Sequence, residues 1–60
     1  MYTICVEVEG RRVNGRNRPT LSAAQRLALQ WVYALRETFQ GIPYPVVILD
    51  THGNVVETHG

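Results

Sequence analysis

The chain has 60 residues, a net charge of +1, 45% apolar residues and 18% charged ones. That composition describes one small folded domain, neither disordered nor large enough for two cores. One cysteine, Cys5, closes no internal disulfide, no cluster has structural-metal spacing, and no apolar run approaches the roughly 20 residues of a membrane span.

Residues 2–9, YTICVEVE, alternate: Tyr2, Ile4, Val6 and Val8 point one way, Thr3, Cys5, Glu7 and Glu9 the other. Period two predicts a half-buried strand. Glu9-Gly10 reads as a turn, and Arg11 to Arg16 as a ragged, basic second strand carrying Val13 inward. Asn14-Gly15 inside it is a turn signal as well, which leaves a loose loop as the alternative.

A helix follows. Ser22-Ala23-Ala24-Gln25 has the spacing of a capping box, Pro19 closes the connector before it, and Gly41 stands where a C-cap glycine belongs. Ala24, Leu27, Ala28, Trp31, Leu35 and Phe39 recur at three- and four-residue spacing and define the predicted core stripe. The prolines of Gly41-Ile42-Pro43-Tyr44-Pro45 require an extended connector. Val46-Val47-Ile48-Leu49, apolar on both faces, predicts an interior strand. Asp50 to Asn54 is then a hairpin loop with His52-Gly53 at its apex, Val55 to Thr58 the last strand, and His59-Gly60 a frayed end. The predicted architecture is a single α+β domain over residues 1–60. One helix packs on a three- or four-stranded, mainly antiparallel sheet, in the order β(β)αββ.

Two surfaces are left over in that arrangement. One helix covers one face of a sheet, so the other carries Thr3, Cys5 and Glu7 with either Val46 and Ile48 or Val47 and Leu49, and Val55 or Val56 beside them. A small domain has few other supports, so this open face suits a partner or a homodimer. On the helix, Leu29 and Tyr33 fall opposite the core stripe, close to Arg26 and Arg36. Tyrosine and arginine are enriched at binding hot spots, which makes Arg26, Leu29, Tyr33 and Arg36 the predicted partner-binding residues.

Charge is unevenly placed. All the basic residues are arginines, and Arg11, Arg12, Arg16 and Arg18 fall between Gly10 and Pro19. Guanidinium forks suit phosphates and carboxylates alike, so these four are predicted contacts to phosphate or to an acidic partner. No aromatic residue lies between Gly10 and Thr20 to stack a base, and Glu7 and Glu9 adjoin the cluster, which favours a protein partner over nucleic acid. A GC-rich genome would also favour arginine codons.

No catalytic constellation is expected. Cys5 sits mid-strand beside glutamates that raise a thiol pKa. His52 on the hairpin tip and His59 at the tail are too far apart to share a metal, because His59 pairs back near Val46. Asp50 and Glu57 are displaced along the hairpin in the same way. Gly10-Arg11-Arg12-Val13-Asn14-Gly15-Arg16 has the glycine spacing of a phosphate loop but neither its lysine nor its hydroxyl residue. No cofactor, metal ligand or membrane contact is assigned. The start of the sequence shows no basic segment before an apolar one, so no signal peptide is expected and the expected location is the cytoplasm.

The layout from YTICVEVEGRRV through SAAQRLALQWVYAL to VVILDTHGNVVE resembles several small phage-encoded anti-CRISPR proteins, many of which are one helix on a small antiparallel sheet. Its first two-thirds is also similar to the HicB-type antitoxin fold and to half of a double-stranded-RNA-binding domain. From the latter it departs at the helix start, where Ser22-Ala23-Ala24-Gln25 carries no lysine pair. The anti-CRISPR resemblance implies a non-enzymatic, stoichiometric inhibitor that binds a CRISPR effector subunit and blocks DNA or nuclease access. The alternatives are a nucleic-acid-binding regulator using residues 11–18 and a phage structural or assembly protein.

Overall fold

In the computed structural model, which describes residues 1–38 and 44–60, the elements are β1 (Tyr2–Val8), β2 (Arg11–Arg18), α1 (Leu21–Thr38), β3 (Val46–Leu49) and β4 (Val55–His59). The strands form one antiparallel sheet in the order β2-β1-β3-β4. The expected α+β architecture is therefore present, with the optional second strand formed. α1 carries the chain from the edge strand β2 past β1 to β3.

Each hairpin has its own cause. Between β1 and β2, Glu9 (φ 52°) and Gly10 (φ 78°) are both left-handed, the signature of the two-residue turn whose twist matches that of the strands. β2 runs on to Arg18, two residues beyond the expected end, because Asn14 and Gly15 together face Cys5 as a bulge instead of ending the strand. Asn14 takes φ 60° there. Between β3 and β4 the Gly53 amide donates to the Asp50 carbonyl at 3.0 Å, and the Asp50 amide donates to the Asn54 carbonyl at 2.9 Å. The apex is thus Thr51-His52, one residue earlier than expected, and Gly53 takes the positive φ of 82° that closes such a loop. His59 is not frayed; it pairs with Val46 inside β4.

The helix start also differs from the expectation. Thr20, not Ser22, is the cap: its hydroxyl accepts the Ala23 amide at 3.2 Å and its carbonyl the Ala24 amide at 3.1 Å. Gln25 does not reach back to Ser22. Its amide donates to the Glu57 carboxylate on β4, a partner 32 residues away. The expected C-cap Gly41 and the connector up to Pro43 lie outside the described residues, as does Phe39.

The core consists of Ile4, Val6, Ala24, Ala28, Val32, Val46 and Ile48, and none of its buried residues is polar. Register explains the membership. Ile4 pairs with Ile48 and Val6 with Val46, so these four share the face under the helix. Ala24 and Ala28 are fully buried and let the helix sit close to that face. Leu27, Trp31 and Leu35 are only half-buried around the margin, and Val32, absent from the expected stripe, lies inside it. The buried arc of the helix is accordingly turned toward β3 and away from β2.

Candidate interaction surfaces

That rotation decides which helical residues remain available. Leu29 and Tyr33 point away from the sheet, 47% and 63% exposed, with Arg26 and Arg36 exposed on the same side. The four expected partner-binding residues therefore share one outward stripe. Among the described residues no carboxylate pairs with either arginine; the carboxylate there that meets an arginine is Glu7, with Arg12, while Glu57 contacts the His59 ring.

The four arginines of β2 do not all share one face. Arg11 pairs with Val8, Arg16 with Ile4 and Arg18 with Tyr2, so by register these three lie on the helix side of the sheet. Arg12 pairs with Glu7 on the opposite side, where its Nε donates to the Glu7 carboxylate at 3.4 Å. Arg16 and Arg18 turn back to the carbonyls of Gly15 and Asn17, at 3.0 and 2.7 Å, rather than to an acid.

A groove runs between α1 and β2. One hollow, about 380 Å³, is lined by Val6, Asn14, Arg16, Trp31, Ala34 and Leu35. A second, about 230 Å³, is lined by Arg18, Ala23, Arg26, Leu27 and Gln30. Ala23 and Ala34 on this flank are too small to reach β2, and no acid lines either hollow. Trp31 reads in sequence as core bulk, yet it forms one wall here. Helical spacing placed it near the centre of the expected stripe; it ends at the margin because the buried arc is rotated to take in Val32.

The opposite face of the sheet carries Thr3, Cys5 and Glu7 from β1, with Val47 and Leu49 from β3. Its centre is covered: Cys5 is 3% exposed and Val47 is 2%. The apolar surface that remains lies toward β4, where Val55 and Val56 are 45% and 43% exposed. Burial pushes the Cys5 thiol pKa up, with Glu7 adding to the rise and the nearby Arg12 opposing it. Sequence reasoning identified the direction but credited the glutamates, when desolvation is the larger cause.

The remaining titratable groups have local roles. The Asp50 carboxylate accepts the amides of His52 and Asn54, both at 2.9 Å, and these bonds hold its pKa below the usual value of 3.8. His59 Nε2 lies 2.8 Å from Glu57 Oε1, and the same carboxylate takes the Gln25 amide. Among the described residues no group of three His, Cys, Asp or Glu side chains is placed to hold a metal ion. No described helix is long and apolar enough to cross a membrane. Searches for related proteins find no match for this chain among protein-family models, curated proteins or solved structures.

Proposed function

We propose that this chain is a non-enzymatic binding protein that inhibits or adapts a protein partner, and that the outer face of α1 makes the contact. The observation that carries the reading is the stripe Arg26, Leu29, Tyr33 and Arg36. Two large apolar side chains one helical turn apart stand in water there, between arginines with no acidic partner among the described residues. Burying such a pair under a partner removes apolar area from water and supplies anchors of the kind that dominate interfaces. The layout's resemblance to small phage anti-CRISPR proteins makes a CRISPR effector subunit in the cytoplasm of a phage-infected cell the partner to test first. The inhibitor would act by obstructing DNA or nuclease access, which requires no active site of its own.

The test is capture from a bacterial lysate, nuclease-treated and untreated, with the parent chain and with Leu29→Ala/Tyr33→Ala. The expected result is a stoichiometric protein that survives nuclease and is lost with the double variant, while the variant's circular dichroism is unchanged. Capture indifferent to the substitutions removes the helix face from the account. A second reading, nucleic-acid binding, is favoured by Arg11, Arg16 and Arg18 lying on one side of β2. It requires recovery that disappears on nuclease treatment and a binding constant that falls with salt.

A further inference from the structure

The two outer edges of the sheet are built differently. β2 ends the sheet with four arginines and a bulge, both common devices for preventing one sheet from adding to another. β4 ends it with Val55-Val56-Glu57-Thr58-His59, which has no lysine, arginine or proline; its own register shift, at Val56, lies at the start of the strand and leaves Glu57-Thr58-His59 in regular pairing. Such an edge leaves backbone donors and acceptors facing outward.

Those outward groups can be assigned. The Glu7 amide donates to the Pro45 carbonyl, so Pro45 and, by alternation, Val47 and Leu49 direct their backbone groups toward β1. Val46 and Ile48 then direct theirs toward β4, which agrees with the bond from the Asp50 amide to the Asn54 carbonyl. Their partners His59 and Glu57 face inward, and Thr58 between them turns its N–H and C=O away from the sheet. Its side chain, like that of its partner Val47, is on the face away from the helix.

We infer that β4 pairs with β4 of a second copy, antiparallel and centred on Thr58, to give a two-fold dimer with one continuous sheet. Register selects this centre. With Thr58 opposite the second copy's Thr58, the two exchange both backbone hydrogen bonds. Glu57 of each copy then stands opposite His59 of the other on the helix side. Sliding the pairing to the next hydrogen-bonded register places Glu57 opposite itself, which like-charge repulsion disfavours. The short segment Glu57-Thr58-His59 is therefore complementary to itself. Each Glu57 carboxylate has acceptor capacity beyond its own His59 and Gln25. The two-fold axis runs through the sheet, so both helices lie on one side and both arginine-bearing β2 strands become the outer edges of the dimer. One five-residue strand per copy buries much less than the roughly 1,200–2,000 Å² of a stable interface, so the dimer is weak and concentration-dependent. This inference does not depend on the partner of the helix face.

Sedimentation velocity of the purified chain over a concentration series tests it. The expected result is a reversible monomer–dimer equilibrium. Thr58→Pro removes the outward N–H and no ladder bond, and weakens association roughly tenfold or more. Because residue 58 meets itself at the axis, Thr58→Lys alone and Thr58→Glu alone are each monomeric, while an equimolar mixture of the two associates. These exposed substitutions leave the core untouched and serve where the proline variant fails to fold. A chain that stays monomeric throughout the series overturns the inference. So does a dimer indifferent to Thr58→Lys, which would be held by another surface, or a mixture that fails to associate.

Discussion

The two hairpins have the same plan, one buried strand and one outer strand, yet they are held by different means. The first, β1–β2, is closed by backbone conformation alone, with Glu9 and Gly10 both left-handed and no side chain reaching into the turn. The second, β3–β4, is closed by a side chain, since Asp50 gathers the amides of His52 and Asn54. Their outer strands differ as well. Neither has a buried residue, but β2 is tied to its neighbour strand by polar contacts such as Thr3 Oγ1 donating to Asn17 at 2.9 Å, whereas β4 is tied to the helix through Glu57, which accepts the Gln25 amide. A hairpin can thus be specified through the dihedral preferences of two residues or through one carboxylate, and the two solutions fail under different conditions.

The sharpest test of the difference between buried and outer strands is Ile48→Ala against Val13→Ala. Ile48 is fully buried, and its truncation is expected to cost about 2–5 kcal/mol, a large share of a small domain's stability. Val13 is 39% exposed on β2, and its truncation is expected to cost less than about 1 kcal/mol. Urea denaturation measures both, and equal costs would remove the distinction.

The next effect concerns the first turn. No atom lies within 4 Å of a Cβ built on Gly10, so Gly10→Ala tests conformation without a clash and is expected to cost about 1 kcal/mol. Glu9→Asn restores the residue pair that this turn favours, and is expected to stabilise by about 0.5 kcal/mol. A loss of stability in Glu9→Asn would mean that Glu9 has a role beyond its backbone angle.

The second turn responds to pH instead. The folded pKa of Asp50 is lowered, so its contribution is present above the unfolded pKa and is lost as pH falls from about 4 through the folded value. Asp50→Asn is expected to flatten that part of the melting-temperature profile, whereas Gly10→Ala leaves its shape unchanged. The smallest effect is expected from Arg12→Ala. The Arg12–Glu7 pair is largely solvent-exposed, and its loss is worth about 0.5 kcal/mol or less, diminishing further with added salt.

The fold was legible wherever one residue type has one structural consequence. Alternation in residues 2–9 placed β1, the apolar run placed β3, and three- and four-residue spacing placed α1. The misreadings arise where two local signals compete or where the partner is distant in sequence. Thr20 and Ser22 both suit a cap, and the Ser22–Gln25 spacing favoured the wrong one, because the attraction of Gln25 to Glu57 exists only after folding. Thr20→Ala should accordingly cost about 1 kcal/mol and Ser22→Ala much less. The arginines of β2 read as one cluster, and pairing with β1 divides them by placing Arg12 on the other face. Of the candidate surfaces, the outward stripe of α1 was visible from helical spacing. The groove beside it depends on how the helix is rotated over the sheet, which no single residue encodes.

The single cysteine has a practical consequence. Cys5 lies in a central strand, 3% exposed, with its thiol held in the less reactive protonated form. An alkylating reagent can reach it only when the side chains packed around it on that face, or β1 itself, move aside. The rate of thiol modification therefore reports how often this part of the sheet opens. The chain carries its own opening clock, readable by mass spectrometry as the mass that alkylation adds at one site, and a bound partner that steadies the sheet will slow it.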